Sequence, residues 1–374
     1  MKRTVTFTQF KPDKSSPLAL HLQLANELLK QLRALSPDAD YVLPSERTLV
    51  KELEINRMTV HRAYTCLLEK NLVVKNPDRS LSVTKSARKQ LQGSFPVIGI
   101  ILPEKFSLYT KRPISLEYLK GIIDRATESG ISTIMLTPPA PGCSAEVIDD
   151  FIQSQCTGLS GIIHLGSRAL NDDDVLKKTL DYTGVPQIFI SGYSSKPHIG
   201  TIGIDITQGM NGLCQKLKAT GAKKIAVITD FAPAVSSKDL FTYHSRSRAE
   251  AAVSIFEQNG FEVCRVEKFN DPSEIKVNTD ELPDVFWCLN DEYAKGLLKF
   301  LKDSGVSVPE DVKVAGFDGF DPVFDGKKIA TVDHRIYDIG YASVDLILEH
   351  YEFGVTTQNR IKMLASEFIP GDTL

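Results

Sequence analysis

The segment LPSERTLVKELEINRMTVHRAYTCLLEKNLVV, at residues 43–74, constrains the fold of this chain more than any other. Its pattern predicts two short helices followed by the first strand of a β-hairpin. Ser45 stands before the first helix and Asn56 before the second, and both are favoured N-cap residues. Two capped helices in 25 residues, with a strand directly after them, predict a compact helical unit that ends in a hairpin.

The second predicted helix has two chemically different faces. Apolar residues recur at steps of three and four and therefore share one buried face: Val60, Ala63, Tyr64 and Leu67. A rotation of about 100° per residue places four residues on the opposite face, with Arg57 at the start of the helix: Met58, His61, Arg62 and Thr65. Such a helix fits a nucleic-acid groove. The alternative is a surface helix that happens to carry two arginines.

The residues LPSER, EL and INRMTVHRA closely resemble the winged helix-turn-helix of the GntR family of bacterial regulators. Upstream, leucine and alanine at steps of four and three predict a first helix with a continuous apolar stripe, formed by Leu18, Leu22, Ala25, Leu29 and Leu32. The resemblance covers residues 15–84 and implies DNA contacts from eight residues: Ser45, Arg47, Arg57, Met58, Thr59, His61, Arg62 and Arg79.

Two departures from the family pattern bear on base recognition. The arginine that usually follows TV in this helix is His61 here, with Arg62 after it. The tip of the wing, which is usually glycine-rich, reads KNPDRSLSVTK. Asn76, Pro77 and Asp78 can still form the turn, which puts Arg79 at the tip.

The distribution of charge agrees with binding of nucleic acid at one end of the chain. Residues 1–90 hold 16 Lys and Arg against 9 Asp and Glu, a net charge of +7. The whole chain carries −3, so the remainder carries −10. A basic segment on an acidic body is expected where one end meets phosphates; a solvated basic surface is the alternative.

Length and composition limit the remaining possibilities. A chain of 374 residues exceeds one ordinary core and predicts two or three domains. No apolar run approaches a membrane span, and the N-terminus lacks the apolar core of a signal peptide. Six scattered cysteines show neither a CxxC pair nor metal-ligand spacing. A reduced, cytoplasmic protein without membrane, metal or cofactor is therefore expected.

From Val97 onward, short apolar runs alternate with helical patterns. One set runs from VIGIILP to VPQIFIS, and a second runs from KKIAVITD through VFWCLN to VKVAGFD. This alternation predicts parallel sheets covered by helices on both faces. Two such sets predict two similar lobes, with a ligand cleft at the carboxyl ends of the strands.

The segments LNDEYAKG, VPEDVKVAGFD and ATVDHRIYDIG resemble the effector domain of the lactose-repressor and periplasmic sugar-binding family, across residues 96–374. The two resemblances together imply an α/β chain with a winged helix-turn-helix head and a two-lobed periplasmic-binding-protein-like body with parallel sheets. The expected domains are a DNA-binding head at 1–84, a linker at 85–95 and an effector-binding, dimerising body at 96–374.

The second resemblance also implies a set of effector contacts: Glu104, Tyr109, Ser191, Arg248, Asn290, Asp318 and His334. The guanidinium of Arg248 offers a planar fork of donors, and Asn290 and Asp318 follow strands, where short polar side chains can pair with vicinal hydroxyls. Each has a structural alternative. Asn290 and Asp318 can be helix or loop caps, Arg248 a surface ion pair, and His334 a core histidine.

The body also departs from its family pattern. Ser191 replaces the usual acidic residue, and His334 and Arg335 replace the usual glutamine and proline. The resemblance therefore does not carry over the identity of the sugar.

The expected function is that of a transcriptional regulator, a repressor that binds double-stranded operator DNA as a homodimer and is released by a small sugar. A regulator that responds to a purine or a protein partner is the alternative. An enzyme is not expected, because the chain lacks the GxSxG, HExxH and GxxxxGK[ST] motifs. Asp318, Asp321 and Asp325 are interpreted as strand-end and loop carboxylates rather than as a metal cluster.

Overall fold

The computed structural model of the chain describes most of the sequence. The described residues are 3–5, 10–11, 19–33, 41–69, 72–83, 96–102, 113–140, 142–165, 174–182, 184–190, 192–194, 199–230, 236–237, 240–242, 245–353 and 361–374. Glu104, Tyr109, Ser191, Leu18 and the predicted linker at 85–95 lie outside them.

The N-terminal region contains three helices and a small sheet. The helices are α1 (Leu20–Arg33), α2 (Glu46–Leu53) and α3 (Arg57–Glu69). The strands are β1 (Arg3–Thr4), β2 (Tyr41–Val42), β3 (Val73–Lys75) and β4 (Leu81–Val83), in the order β1-β2-β4-β3. Strands β3 and β4 form the antiparallel hairpin that the sequence predicts after the second short helix.

Burial follows the predicted stripes in this region, and two further residues of α1 are buried as well. Val60, Ala63, Tyr64 and Leu67 of α3 are buried, as are the predicted residues Leu22, Ala25, Leu29 and Leu32 of α1. Leu24 and Leu28 of α1 are also fully buried. A single stripe at steps of four and three describes one packing face, and these two leucines widen the buried surface of α1 beyond it.

The first lobe of the body is built on a six-stranded sheet in the order β20-β10-β8-β7-β5-β6, whose neighbours all pair in parallel. Its strands are β5 (Val97–Ile101), β6 (Ser132–Met135), β7 (Gly161–Leu165), β8 (Gln187–Ile190), β10 (Ile199–Asp205) and β20 (Ile361–Ala365). Four helices cover both faces: α4 (Pro113–Glu128), α5 (Ala145–Phe151, continued by a π-turn), α6 (Asp174–Asp181) and α10 (Ile336–Phe353).

The second lobe is built on a four-stranded parallel sheet in the order β14-β11-β15-β16. Its strands are β11 (Lys224–Thr229), β14 (Glu262–Lys268), β15 (Val285–Cys288) and β16 (Lys313–Ala315). Helices α7 (Thr207–Ala219) and α8 (Ser245–Gln258) cover one face, and α9 (Asp291–Asp303) covers the other. Two parallel sheets, each covered on both faces, confirm the predicted fold class.

The remaining strands are short and antiparallel. They are β9 (Gly192–Ser194), β12 (Ser236–Ser237), β13 (Leu240–Thr242), β17 (Val323–Phe324), β18 (Lys327–Lys328), β19 (Thr331–Asp333) and β21 (Glu367–Ile369). Strand β21 pairs with β19.

Within its described segments, the chain passes between the lobes three times. It crosses from β10 into α7, from β19 into α10, and from β20 into β21. Two crossings are tied together, because the Ser366 amide donates to the Asp205 carbonyl and the Gly209 amide donates to Ser366 Oγ. These three connections form the hinge on which the candidate site lies.

All six cysteines are free, and Cys156, Cys214 and Cys288 are buried, as small hydrophobic residues are. Among the described residues, no helix has both the length and the apolar character needed to cross a membrane.

Candidate nucleic-acid interface and effector site

Helix α3 presents the predicted polar face to solvent. Arg57, Met58, His61 and Arg62 are exposed, whereas Thr59 is half-buried. Arg47 on α2 and Arg79 at the hairpin tip are exposed as well. Both predicted N-caps are confirmed: Ser45 Oγ accepts a hydrogen bond from the Thr48 amide at 3.1 Å, and Asn56 Oδ1 accepts one from the Met58 amide at 2.8 Å.

Arg79 occupies a backbone position that favours glycine. The Arg79 amide donates to the Asn76 carbonyl, which closes a turn over Pro77 and Asp78, and the Asn76 amide donates to the Ser80 carbonyl. Arg79 itself has a φ of 67°. The missing glycine of the predicted wing is therefore replaced by an arginine in the left-handed region, at a cost of about 1 kcal/mol.

Glu46 links α2 to α3, a contact that the sequence analysis missed. One carboxylate oxygen lies 2.8 Å from His61 Nδ1, and the other accepts from Arg57 Nε at 3.2 Å. The hydrogen bond from His61, followed by the bond from Arg57, lowers the pKa of Glu46 despite the opposing effect of burial. The only sequence signal was an acidic residue in the first turn of a helix, which by itself indicates a dipole interaction.

In the body, Arg248 and Asp318 form an ion pair at the carboxyl end of the second-lobe sheet. Arg248, on α8, donates from Nη1 to Asp318 Oδ1 at 3.0 Å and to the Leu289 carbonyl at 3.1 Å. Its guanidinium carbon lies 4.3 Å from the centre of the Phe317 ring. The side chains of Arg248 and Asp318 are 17% and 10% exposed, so the pair is largely but not completely buried.

Backbone pairing with β19 holds Asp318 in place. The Asp318 amide donates to the Val332 carbonyl at 2.9 Å, and the His334 amide donates to the Asp318 carbonyl at 3.1 Å. Asp318 has a φ of 107°, a backbone conformation that residues other than glycine rarely adopt. Strain of this kind persists only where the surroundings enforce it, and it concentrates at functional sites.

His334 lies between the two charged groups and touches both lobes. Its Nδ1 is 3.2 Å from Asp318 Oδ1 and 3.4 Å from Arg248 Nη2. Its ring packs edge-on against Phe317 of the second lobe and Tyr118 of α4 in the first. A carboxylate only accepts and a guanidinium only donates, so Nδ1 can satisfy one partner at a time. Burial, and then the charge of Arg248, lower the pKa of His334 against the opposing influence of Asp318.

Asn290 is the N-cap of α9, because its Oδ1 accepts from the Tyr293 amide at 2.9 Å. The structure thus brings Arg248, Asp318 and His334 into direct contact and gives Asn290 a helix-capping bond beside them. The other predicted effector contacts, Glu104, Tyr109 and Ser191, fall outside the described residues.

Asp291, which directly follows Asn290 at the end of the strand, was not among the predicted effector contacts. It is 2% exposed, accepts from Thr331 Oγ1 at 2.6 Å, and accepts from the Phe320 amide at 3.1 Å. Burial, with a contribution from the charge of Asp318, raises its pKa to about 8. The carboxyl therefore ties α9 to the loop after Asp318 and to β19. Its position beside Asn290, directly after a strand, was the available signal.

The cluster can recognise a polar organic molecule. Arg248 supplies donors and Asp318 supplies acceptors, both against the apolar ring of Phe317, which suits a ligand with neighbouring hydroxyl groups on an apolar ring. Within the described residues, no three His, Cys, Asp or Glu side chains cluster as a metal ion would need. Asp321 and Asp325 each pair with a lysine instead, Lys295 and Lys302 respectively.

Comparison with known proteins places the body among binding-protein folds. Residues 214–374 match the family described as periplasmic binding protein-like domain. Catabolite control protein A of Staphylococcus aureus is 22% identical over 263 residues, which cover 68% of this chain and 74% of that protein. The arabinose metabolism transcriptional repressor of Geobacillus stearothermophilus is 23% identical over 349 residues, 91% of this chain and 93% of that protein.

Solved structures of other proteins share the fold. The lac repressor dimer bound to operator and the anti-inducer ONPF has a TM-score of 0.58 at 17% identity and covers 78% of this chain and 98% of its own. A LacI family regulator from Enterococcus faecium with bound ribose has a TM-score of 0.56 at 21% identity and covers 74% and 98%. The body therefore has the LacI-type, periplasmic-binding-protein-like fold.

Proposed function

We propose that this chain is a transcriptional repressor that binds operator DNA as a dimer and releases it when a small sugar binds between the two lobes of the body. In this proposal residues 1–84 form the DNA-binding head, 85–95 the linker and 96–374 the effector-binding and dimerising body. The single observation that carries the proposal is the Arg248–Asp318 pair, held under backbone strain at the hinge.

The head is proposed to be a GntR-type winged helix-turn-helix. Three helices followed by an antiparallel hairpin are the elements that such a head requires, and α3 exposes its basic face. The match to the arabinose metabolism repressor leaves about a tenth of this chain unaligned, much less than an 84-residue head. That relative therefore resembles the chain through most of the head as well as the body.

The proposed DNA contacts come from three elements. Arg57, Met58, Thr59, His61 and Arg62 would enter the major groove on α3, with Ser45 and Arg47 beside them and Arg79 reaching the backbone from the hairpin. Two heads are needed to read a palindromic site, and the lac repressor neighbour is a dimer on its operator. The same dimeric arrangement is proposed here, in the cytoplasm and without a catalytic role.

A sugar is the proposed effector because the pair supplies both donors and acceptors for neighbouring hydroxyls. The name of one relative refers to arabinose metabolism, and one structural neighbour holds ribose. Bridging the lobes favours their closed arrangement, and a ligand shifts this equilibrium only by its differential affinity for the two arrangements. Because His334 contacts both lobes, closure at Arg248 and Asp318 would move the hinge and thus the two tethered heads.

A thermal-shift screen of pentoses, hexoses, their phosphates and purines tests the effector, because a specific ligand stabilises the folded body by mass action. We expect stabilisation by a pentose or hexose in the wild type and none in Arg248→Ala. Stabilisation by a purine alone, or an equal shift in Arg248→Ala, would contradict the sugar assignment.

The DNA contacts are tested with duplexes selected by the wild type from a randomised pool. Arg47→Ala and Arg57→Ala should each cost about 1–3 kcal/mol of binding free energy if these residues reach base edges or a tightly held phosphate. Unchanged affinity in both variants would remove α2 and α3 from the interface.

A further inference from the structure

The solvent-facing surface that α2 and α3 form together carries an unexpected negative charge, that of Glu46 on α2. Glu46 lies beside Arg57 and His61, where a DNA-binding surface would approach phosphates. A carboxylate there reduces the attraction to phosphate, so its presence calls for a local role. The geometry supplies one.

The contact with Glu46 determines which nitrogen of His61 carries a proton. His61 Nδ1 lies 2.8 Å from Glu46 Oε1, and an ionised carboxylate can only accept a hydrogen bond. The lowered pKa of Glu46 keeps the carboxylate ionised. Nδ1 must therefore be the donor, and in the neutral ring the remaining nitrogen, Nε2, carries a lone pair.

The rest of the ring remains available to a ligand. The His61 side chain is 57% exposed, whereas Glu46 is 27% exposed, so the edge opposite Nδ1 faces away from the contact. Glu46 also engages Nε of Arg57 and leaves the terminal fork of that guanidinium free. One carboxylate thus orients two neighbouring side chains of α3.

We infer that Glu46 is a positioning residue for base recognition: it makes neutral His61 an acceptor, so that His61 reads a base with an exocyclic amino group in the major groove, adenine or cytosine. Guanine and thymine present acceptors at the corresponding positions and are disfavoured. The inference rests on the proposed function, because it requires α3 to lie in a DNA groove. The inference also explains what changes when His61 replaces the usual arginine: an arginine can only donate a hydrogen bond to a base, whereas neutral His61 can accept one.

The experiment begins with duplexes that the wild-type protein selects from a randomised pool at pH 8.5, a pH at which free histidine is neutral. His61→Ala identifies the base pair that depends on His61. Affinity is then measured for duplexes that carry each of the four bases at that position. The variants are Glu46→Gln and, as a matched control for removal of one negative charge from the same helix, Glu52→Gln. Glu52 is exposed on α2, and thermal melting verifies that all variants fold.

We expect the wild type to prefer adenine or cytosine at this position by about tenfold, the discrimination typical of one base contact. Glu46→Gln should reduce the preference below about twofold or reverse it, because an amide can donate to Nδ1, while Glu52→Gln should retain it. A preference that survives Glu46→Gln, a wild-type preference for guanine or thymine, or a His61→Ala variant without positional effect would each overturn the inference.

These outcomes are distinct from failure of the proposed function. If the wild type selected no duplex at all, the head would not bind DNA, and the inference would fall with it. If the wild type selects a duplex and only the positional preference fails, DNA binding stands and the role of Glu46 is wrong.

Discussion

Among the residues that the structure describes, each lobe of the body contains one largely buried arginine–aspartate pair, and the two pairs lie in different settings. In the first lobe, Arg125 Nε donates to Asp345 Oδ1 at 2.6 Å, with side chains 15% and 1% exposed. In the second, Arg248 and Asp318 lie 3.0 Å apart and are 17% and 10% exposed. Burial and distance alone do not separate a structural pair from a ligand-binding one.

The surroundings of the pairs do separate them. Arg125 and Asp345 lie where α4 and α10 pack closely, and Gly121 and Gly340 each leave no room for a side chain against the backbone of the opposite helix. The Arg125 guanidinium stacks over Tyr341. Asp345 is in regular helix, whereas Asp318 has a φ of 107°. The Arg125–Asp345 pair thus stabilises the packing of two helices. The Arg248–Asp318 pair instead lies beside the hinge, includes a residue with a strained backbone, and contacts His334.

The largest expected effect concerns the first pair. Asp345→Ala removes the short buried hydrogen bond of Arg125 and leaves it only the longer, 3.7 Å ion pair with the exposed Glu128. The free energy of unfolding should therefore fall by about 3–5 kcal/mol. The exposed carboxylate Asp149, which pairs with Lys178 in the same lobe, is the matched control. Asp149→Ala should change stability by less than about 1 kcal/mol. Denaturant unfolding measures both, and equal small losses would show that the buried pair has no structural role.

The second pair should affect binding rather than stability. Asp318→Ala leaves sugar hydroxyls and Arg248 unpaired in the site, so affinity for the sugar found by thermal shift should fall by about 2–4 kcal/mol. Isothermal titration measures this, and Asp149→Ala should bind as the wild type does. A variant that unfolds like Asp345→Ala but retains sugar affinity would reverse the assignment of the two pairs.

Acidification should act on the second pair through His334. Burial lowers the pKa of His334 in the folded protein below its ordinary value of 6.5. The contribution of His334 to the free energy of unfolding is therefore complete above pH 6.5. It is lost as the pH falls from there through the folded-state pKa, at no more than about 1.4 kcal/mol per pH unit. His334→Gln should flatten the dependence of stability on pH below 6.5, as measured by denaturant titration.

His164 in the first lobe supplies an internal reference for that titration. Burial lowers its pKa to about 4, against a hydrogen bond with Gln187. Because of His164, the free energy of unfolding should fall by about 2 kcal/mol between pH 6.5 and 5. This loss should persist in His334→Gln and disappear in His164→Leu. An unchanged slope in His334→Gln would mean that the hinge histidine does not titrate as proposed.

The smallest expected effect is a difference in stability between glycine and alanine variants, which depends only on the backbone conformation at Asp318 and Asp345. At Asp318 only glycine accommodates the backbone without strain, so Asp318→Gly should be more stable than Asp318→Ala by about 1 kcal/mol. At Asp345, inside a helix, the order should reverse, with alanine favoured over glycine by about 1 kcal/mol. The same order at both positions would contradict the strained conformation of Asp318.

Local patterns in the sequence predicted what is local in the structure. The buried and exposed faces of α3 follow from helical periodicity, and the caps at Ser45 and Asn56 follow from residue type at a helix start. The resemblance to a known family, rather than periodicity, singled out Arg248, Asp318 and His334. Their mutual contacts are now visible in the structure.

Contacts between distant or unpatterned residues could not be predicted. Arg125 and Asp345 are 220 positions apart, and neither interrupts the apolar pattern of its helix in a way that identifies a partner. Glu46 and Asp291 both stand in the first turn of a helix, where an acidic residue usually has a local explanation. Only the packing of α2 against α3, and the hydrogen bond that Thr331 of β19 donates to Asp291, give them further roles.

The most direct test of the central claim is the affinity for operator duplex, measured by fluorescence anisotropy with and without saturating sugar, in the wild type and in Asp318→Ala. We expect sugar to weaken binding by the wild type, and we expect Asp318→Ala to bind the duplex with wild-type affinity but not to respond to sugar. A variant that still responds, or that loses DNA binding while retaining sugar binding, would show that Asp318 is a structural residue and that the effector binds elsewhere.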